Sequence, residues 1–312
     1  MFVKVFGARI VWLLAVAISL AVLASYAQAH EGLHEQIVAV TAKIKRDPKN
    51  ASLYLQRGEL HRLHRDWNRA AADYDRAARL QPELKIIDFV RGRMLFEAGH
   101  LKRARLTLDR FLAQQPNHFE GLVTRARVLG KLGFAGEAVR DYSEALALSP
   151  DPDLYLERAQ VTAGDSRVAA RTPAAAGNAP SAAVNAQAAA VDAQAAARDA
   201  QRIDEALNGL DDGIKRLGPV VTLQIAAIDL ELRRYNYDAA LARLDMVTSQ
   251  AARKETWLVR RGEILALAGR SEQARLAFND ALAAIDSLPP DRRQTRAITA
   301  LQLRIHSALR TP

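Results

Sequence analysis

The sequence predicts an all-α chain of repeated helix–turn–helix units, and three observations carry that prediction. First, a spacing of 34 residues recurs in register. Gly58, Gly92 and Ala126 share it, as do Ala70, Ala104 and Ala138, then Tyr74, Leu108 and Tyr142, then Pro82, Pro116 and Pro150. Second, the same columns return at Gly262, Ala274 and Phe278. Third, aromatic residues make up only 6% of the 312, which suits small helical repeats better than β architecture.

Small, small, aromatic and proline columns in that order at a period of 34 resemble the tetratricopeptide repeat. The resemblance covers 51–152 and 255–282 well, and 200–250 more loosely. It implies a right-handed α-solenoid with terminal capping helices. It also implies a non-enzymatic adaptor whose first helices line a concave, peptide-receiving face.

Each element has its own reason. Residues 1–29 read as a secretory signal peptide: Lys4 and Arg9 are the positive start, Ile10 to Leu23 the apolar run, and Ala27-Gln28-Ala29 the cleavage signal. The mature chain would begin at His30, without stable membrane insertion. A bacterial periplasm is the expected destination, with secretion as the alternative. Residues 30–50 hold an N-terminal capping helix, with Leu33, Ile37, Val40 and Ile44 on one face.

A repeat block over 51–164 contains three full units (51–84, 85–118, 119–152) and the first helix of a fourth. A glycine interior to a helix costs about 1 kcal/mol, so Gly58 and Gly92 mark close helix crossings. Ala70, Ala104 and Ala138 match them on the second helices, and Tyr74, Leu108 and Tyr142 fill the space beside. Gly99 and Gly133 suit left-handed helix ends. Pro82, Pro116 and Pro150 stop the second helices.

Residues 165–199 form an Ala-rich insertion that cannot bury a core. Its first half reads as disordered and 182–199 as compatible with a helix. The missing partner helix resumes at about 200–216, with Ala206 and Leu210 in the small and large positions. A second repeat block spans 200–288, in which the turn Tyr235-Asn236-Tyr237 lacks glycine. Residues 289–312 form a C-terminal capping helix with Ile298, Leu301, Ile305 and Leu309 inward.

Function classes narrow quickly. There is no cysteine, hence no disulfide and no thiol nucleophile. Phosphate-cradling and nucleophile-elbow motifs are absent, so neither enzyme nor cofactor is indicated. His30-Glu31-Gly32-Leu33-His34 matches H-E-x-x-H, but it sits at a fraying terminus without a third ligand. A looser copper or zinc site using His30 and His34 is the alternative function. His61 and His64 are three apart on one helix, while His100, His118 and His306 read as turn or surface residues.

Formal net charge is +9; without Lys4 and Arg9, 42 basic residues face 35 acidic ones. The cations are interleaved with acids, which reads as a solvated surface and not as a nucleic-acid site.

The resemblance places Leu55, Glu59 and Arg62, then Phe89, Arg93 and Phe96, then Val123, Arg127 and Lys131 on the concave face. The Lys–Asn pair that grips a terminal carboxylate in some members is replaced by Leu55 and Glu59. The expected partner is therefore a protein or peptide with an acidic segment and an apolar anchor, met by Phe89, Arg93, Phe96, Arg127 and Lys131. Arg57, Arg91, Arg125, Arg158 and Arg261 each precede a small crossing residue. They read as structural, covering apolar surface with their stems.

Overall fold

The computed structural model describes residues 32–164 and 182–310, and every regular element among them is a helix. The expected signal peptide, His30 and the first half of the Ala-rich insertion lie outside the described residues. Helix α1 spans 32–46. It is followed by α2 (Ala51–Leu63), α3 (Trp67–Leu80), α4 (Ile86–Glu97), α5 (Leu101–Gln114) and α6 (Phe119–Leu132), and the first compact unit ends at Phe134. The second unit starts at Ala135 with α7 (Ala135–Leu148) and α8 (Pro152–Ala163). It continues through α9 (Ala182–Leu217), α10 (Val221–Arg233), α11 (Tyr237–Gln250), α12 (Glu255–Leu267) and α13 (Ser271–Asp286). A single turn, α14 (Pro290–Arg293), then leads into α15 (Arg296–Arg310).

Consecutive helices pack as antiparallel pairs, α2 on α3, α4 on α5, α10 on α11 and α12 on α13. The small residue of the first helix makes this possible. A Cβ at Gly58 would lie 2.6 Å from the Tyr74 ring, one at Gly92 2.7 Å from Leu108, and one at Gly262 2.6 Å from the Phe278 ring. The large residue of the second helix therefore packs directly onto the backbone of the first. Ala70, Tyr74 and Ala77 of α3, and Ala104, Leu108 and Phe111 of α5, are buried along that line. Helices α3 and α5 end at Leu80 and Gln114, two residues before Pro82 and Pro116, because a residue before proline is driven out of the helical region.

Among the described residues, the turns that follow α2, α4, α6, α10 and α12 are built the same way. One residue adopts a left-handed backbone: Arg65 (φ 59°), Gly99 (81°), Gly133 (83°), Tyr235 (60°) and Gly269 (73°). The next N–H then reaches back to a carbonyl five residues earlier. Asp66 donates to His61 at 2.8 Å, His100 to Leu95 at 2.8 Å, Phe134 to Leu129 at 2.9 Å, Asn236 to Glu231 at 2.9 Å and Arg270 to Leu265 at 2.9 Å. The missing glycine at Tyr235 does not alter the turn; the side chain is carried in the left-handed region, where it projects 76% exposed.

The second unit rebuilds its first pair around the insertion. The partner of α8 is the C-terminal part of α9, which runs 36 residues without a break. The sequence reading ends the insertion at 199 and starts the partner helix at 200; here one helix crosses that point. Alanine is the strongest helix former, and no proline lies between Ala182 and Leu217 to interrupt it. Residues 190–198 are exposed or nearly so on every side, while Ile203, Ala206, Leu207 and Leu210 are buried. Tyr155 of α8 packs on Gly213, and the Arg158 guanidinium donates to the Gly209 carbonyl at 3.0 Å. At the C-terminal end α15 buries Ile298, Leu301 and Ile305 in a core shared with Ile264, Leu265, Phe278 and Ile285. The pairs are of the kind the 34-residue columns predict; α15 covers the last pair of the second unit, and the single helix α1 precedes the first pair of the first unit.

Three stability outcomes follow from this packing. Gly262→Ala overpacks the crossing by about 1–3 kcal/mol, of which improved helix propensity returns about 1 kcal/mol, so urea unfolding should show a net loss. Tyr235→Gly should do the opposite and stabilise by about 1 kcal/mol, because an exposed L-residue is relieved of a left-handed backbone. Deleting 168–196 removes the exposed stretch 190–196 of α9 but leaves Ile203, Ala206, Leu207 and Leu210 in place, so the urea midpoint should stay nearly unchanged, because a change of connection length shifts stability by less than about 1 kcal/mol. A protein that aggregates after this deletion would assign the segment a core role.

Candidate functional site

The five predicted contact residues do not form one surface. Phe89 of α4 is buried, with its ring centroid 5.5 Å from Phe111 and 4.8 Å from His118. His118, read as a turn or surface residue, lies in the turn before α6 and is half-buried. It caps α6, its Nδ1 accepting from the Gly121 N–H at 3.1 Å, and its ring meets Phe111 edge-on at 4.9 Å. Phe89 is therefore part of the core between successive pairs and is closed to a partner.

Arg93 is drawn inward with it. Its guanidinium lies 5.0 Å over the Phe89 ring, and its Nη2 donates to Glu59 of α2. Glu59 also accepts from the Tyr74 hydroxyl at 2.5 Å and from Arg62 Nε at 3.2 Å. Arg62 Nη1 in turn donates to both oxygens of Glu97 at 2.7 Å. Two arginines and two carboxylates thus neutralise one another across α2 and α4. Burial and the bond to Glu59 push the Tyr74 phenol well above its usual pKa, so it stays protonated as the donor.

Phe96, Arg127 and Lys131 face outward. Phe96 is half-buried, and the Lys131 ammonium sits 4.8 Å from its ring centroid. Lys131 has no carboxylate within ion-pair distance among the described residues, and Arg127 is exposed. Of the five, the structure brings together Phe96 with Lys131, and Phe89 with Arg93.

A second set of contacts was not read from the sequence. The arginine before each crossing residue meets an oxygen on a neighbouring helix. Arg57 grips both oxygens of Asp73 at 2.7–2.8 Å, Arg91 meets Asp75 at 2.5 Å, Arg125 meets Asp109 at 3.1 Å, and Arg261 meets Asp245. Arg158 donates to Ser143 Oγ at 3.3 Å, the position that aspartate holds elsewhere. These residues are structural, but through charge as much as through their stems. The detectable signal was an aspartate directly after the large residue of the second helix, at 75, 109 and 245. The Glu59–Arg93 pair had a simpler signal: opposite charges 34 residues apart in one column.

The second unit repeats the device in its own first helices. Arg260 bridges Asp229 at 2.9 Å and Glu263 at 3.7 Å, and Arg304 of α15 also reaches Glu263. For metals, His34 is exposed on α1, His61 is buried and His64 is exposed. Among the described residues no group of three or more His, Cys, Asp or Glu side chains is placed to hold an ion. No helix among them is long and apolar enough to cross a membrane.

No protein-family model and no curated protein matches the chain in sequence. Solved structures similar to it include a tetratricopeptide repeat protein from Parabacteroides merdae. That protein is 17% identical, with 90% of this chain and 96% of that chain covered and a TM-score of 0.47. A thermophilic tetratricopeptide-repeat protein of Thermus thermophilus is 19% identical over 72% of this chain and 98% of that one, with a TM-score of 0.37. YrrB, described as a tetratricopeptide-repeat protein with an unusual peptide-binding site, is 14% identical over 86% of this chain and 98% of that one, with a TM-score of 0.38. What identifies the repeats in this chain is its own 34-residue columns and the packing of its helix pairs.

His61 gives this part of the molecule a pH dependence. Burial lowers its pKa, opposed by Asp73 and Asp66 and reinforced by Arg57 and Arg69. The folded pKa therefore lies below the unfolded value of about 6.5. The stability it contributes is complete above that value and is lost as pH falls through the folded pKa. Amide exchange in α2 and α3 should accelerate as pH drops below about 6.5, after correction for intrinsic rates, and His61→Leu should flatten that dependence. An equal slope in the variant would assign it to the carboxylates.

Proposed function

We propose that the chain is a non-catalytic scaffold of the bacterial cell envelope that holds a protein partner on the first helices of its N-terminal unit. The observation that carries this reading is the Phe96–Lys131 pair. An aromatic ring on α4 and an ammonium on α6 sit together at the surface, and the ammonium has no carboxylate of its own. The pair suits a segment that presents a carboxylate beside an apolar side chain. Arg93 belongs to the scaffold in this reading, since docking an acid on it would require displacing Glu59. The envelope location rests on the signal-like residues 1–29.

Affinity capture from an envelope extract, quantified by mass spectrometry, tests the site. A charge-assisted contact is worth about 1.5–3 kcal/mol, so Phe96→Ala with Lys131→Glu should weaken capture of the true partner on the order of 10–100-fold. Arg93→Gln should leave capture near normal while lowering the stability of the unit. If the double variant retains the same partners, the face is not α4 and α6. If Arg93→Gln alone abolishes capture without loss of stability, the Glu59 network belongs to the binding site.

A further inference from the structure

In sequence the cations look interleaved with acids; in the folded chain they are separated. Residues 32–134 carry 20 Lys and Arg against 11 Asp and Glu, whereas 135–164 with 182–310 carry 20 against 22. Both parts are built from the same kind of helix pair, so the repeat fold does not demand the excess. The acids of the first unit are drawn between helices. Asp73 is held by Arg57, Asp75 by Arg91, Asp109 by Arg125, and Glu59 and Glu97 by Arg62 and Arg93.

The cations left over collect on the outer edges of the second helices. On α3, Ala70, Tyr74 and Ala77 face the core, while Arg69, Arg76 and Arg79 are exposed on the opposite side at helical spacing. On α5, Arg103 and Arg110 occupy the same places 34 residues later, with Lys102 beside them. Arg69 touches Asp66, Arg110 touches Asp88, and Arg76 lies 5.7 Å over the Tyr54 ring. Arg79, Lys102 and Arg103 have no such contact among the described residues. Leu106, 63% exposed, stands between Arg103 and Arg110 on this same edge. Lys45, Arg46 and Lys49, at the end of α1, are exposed as well.

We propose that this edge of α3 and α5 docks on an anionic lipid surface. Unpaired cations match negative headgroups, and an exposed leucine among them suits the boundary between headgroups and acyl chains. A single-stranded nucleic acid fits less well, because the exposed apolar side chain between Arg103 and Arg110 is a leucine and not an aromatic ring on which bases stack. The surface is separate from the Phe96–Lys131 pair, so this inference does not rest on that one.

The test is co-sedimentation of the full chain with phosphatidylcholine vesicles, with and without phosphatidylglycerol. Binding should require phosphatidylglycerol and weaken with added salt. Each cation near an anionic surface is worth about fivefold. Arg79→Gln, Lys102→Gln and Arg103→Gln together should therefore weaken binding on the order of 100-fold. Arg140→Gln with Arg275→Gln, exposed cations on second helices of the other unit, should leave it unchanged. Circular dichroism checks each variant, and Arg79→Gln alone, with about a fivefold loss, serves if the triple variant loses helix. Equal binding to vesicles lacking phosphatidylglycerol, an unaffected triple variant, or preferential binding to an RNA oligonucleotide would each overturn the proposal.

Discussion

The structure depends on one contact made repeatedly: a large side chain of the second helix resting on bare backbone of the first. Gly58 under Tyr74, Gly92 under Leu108 and Gly262 under Phe278 leave no room for a Cβ. This contact sets how closely two helices approach and at what rotation about their axes. Once that rotation is fixed, the neighbours in sequence have no freedom. The residue before the glycine emerges at the flank of the pair, and the residue after the large side chain emerges facing the next pair. Those two positions carry arginine and aspartate, so the ion pairs from Arg91 to Asp75 and from Arg125 to Asp109 are a consequence of the crossing.

Energetically the crossing and the ion pairs are unequal. Partly exposed ion pairs contribute about 0–1 kcal/mol each, whereas a misfitted crossing costs more than that. The pairs therefore add little to stability and more to arrangement, since each joins one helix to a particular neighbour. The Glu59 cluster is the denser version. Arg62 is largely enclosed, and its charge is compensated from two helices at once. Removing one member would strand its partner in poorly solvated surroundings, which is the costly way to break such a network.

This division explains what could be read from the sequence. Helix pairs, their turns and both end helices were legible because apolar and small residues repeat every 34 positions whatever surrounds them. The turn at Tyr235 was legible as a position though not as a conformation, because the backbone carbonyls that need capping are present with or without glycine. The continuity of α9 was hidden by a change of composition at 199 that is not a change of structure. The candidate face was half legible. Columns give the helix face that a residue occupies but not how much of that face the next pair covers, so Phe89 and Phe96, seven residues apart on α4, had the same reading and have different fates. Charge was the least legible, because its partners lie across helices.

The same logic gives arginine two roles in the first unit. Next to a crossing it is held by an aspartate that the fold delivers, and its charge is spent inside the molecule. On the outer edge of α3 and α5 few acids are delivered: Asp66 meets Arg69 and Asp88 meets Arg110, while Asp73, Asp75 and Asp109 are turned toward arginines of the first helices. An excess of positive charge at the surface is then a direct result of using acids as internal connectors, unless further acids are added outside. The second unit adds them: Glu137 and Glu144 of α7 stand where Arg103 and Arg110 stand on α5. The first unit places arginine at those positions twice. The repeat architecture tolerates either sign there, so the basic edge is a property of this unit's own sequence and the feature that distinguishes its outer surface from that of the second.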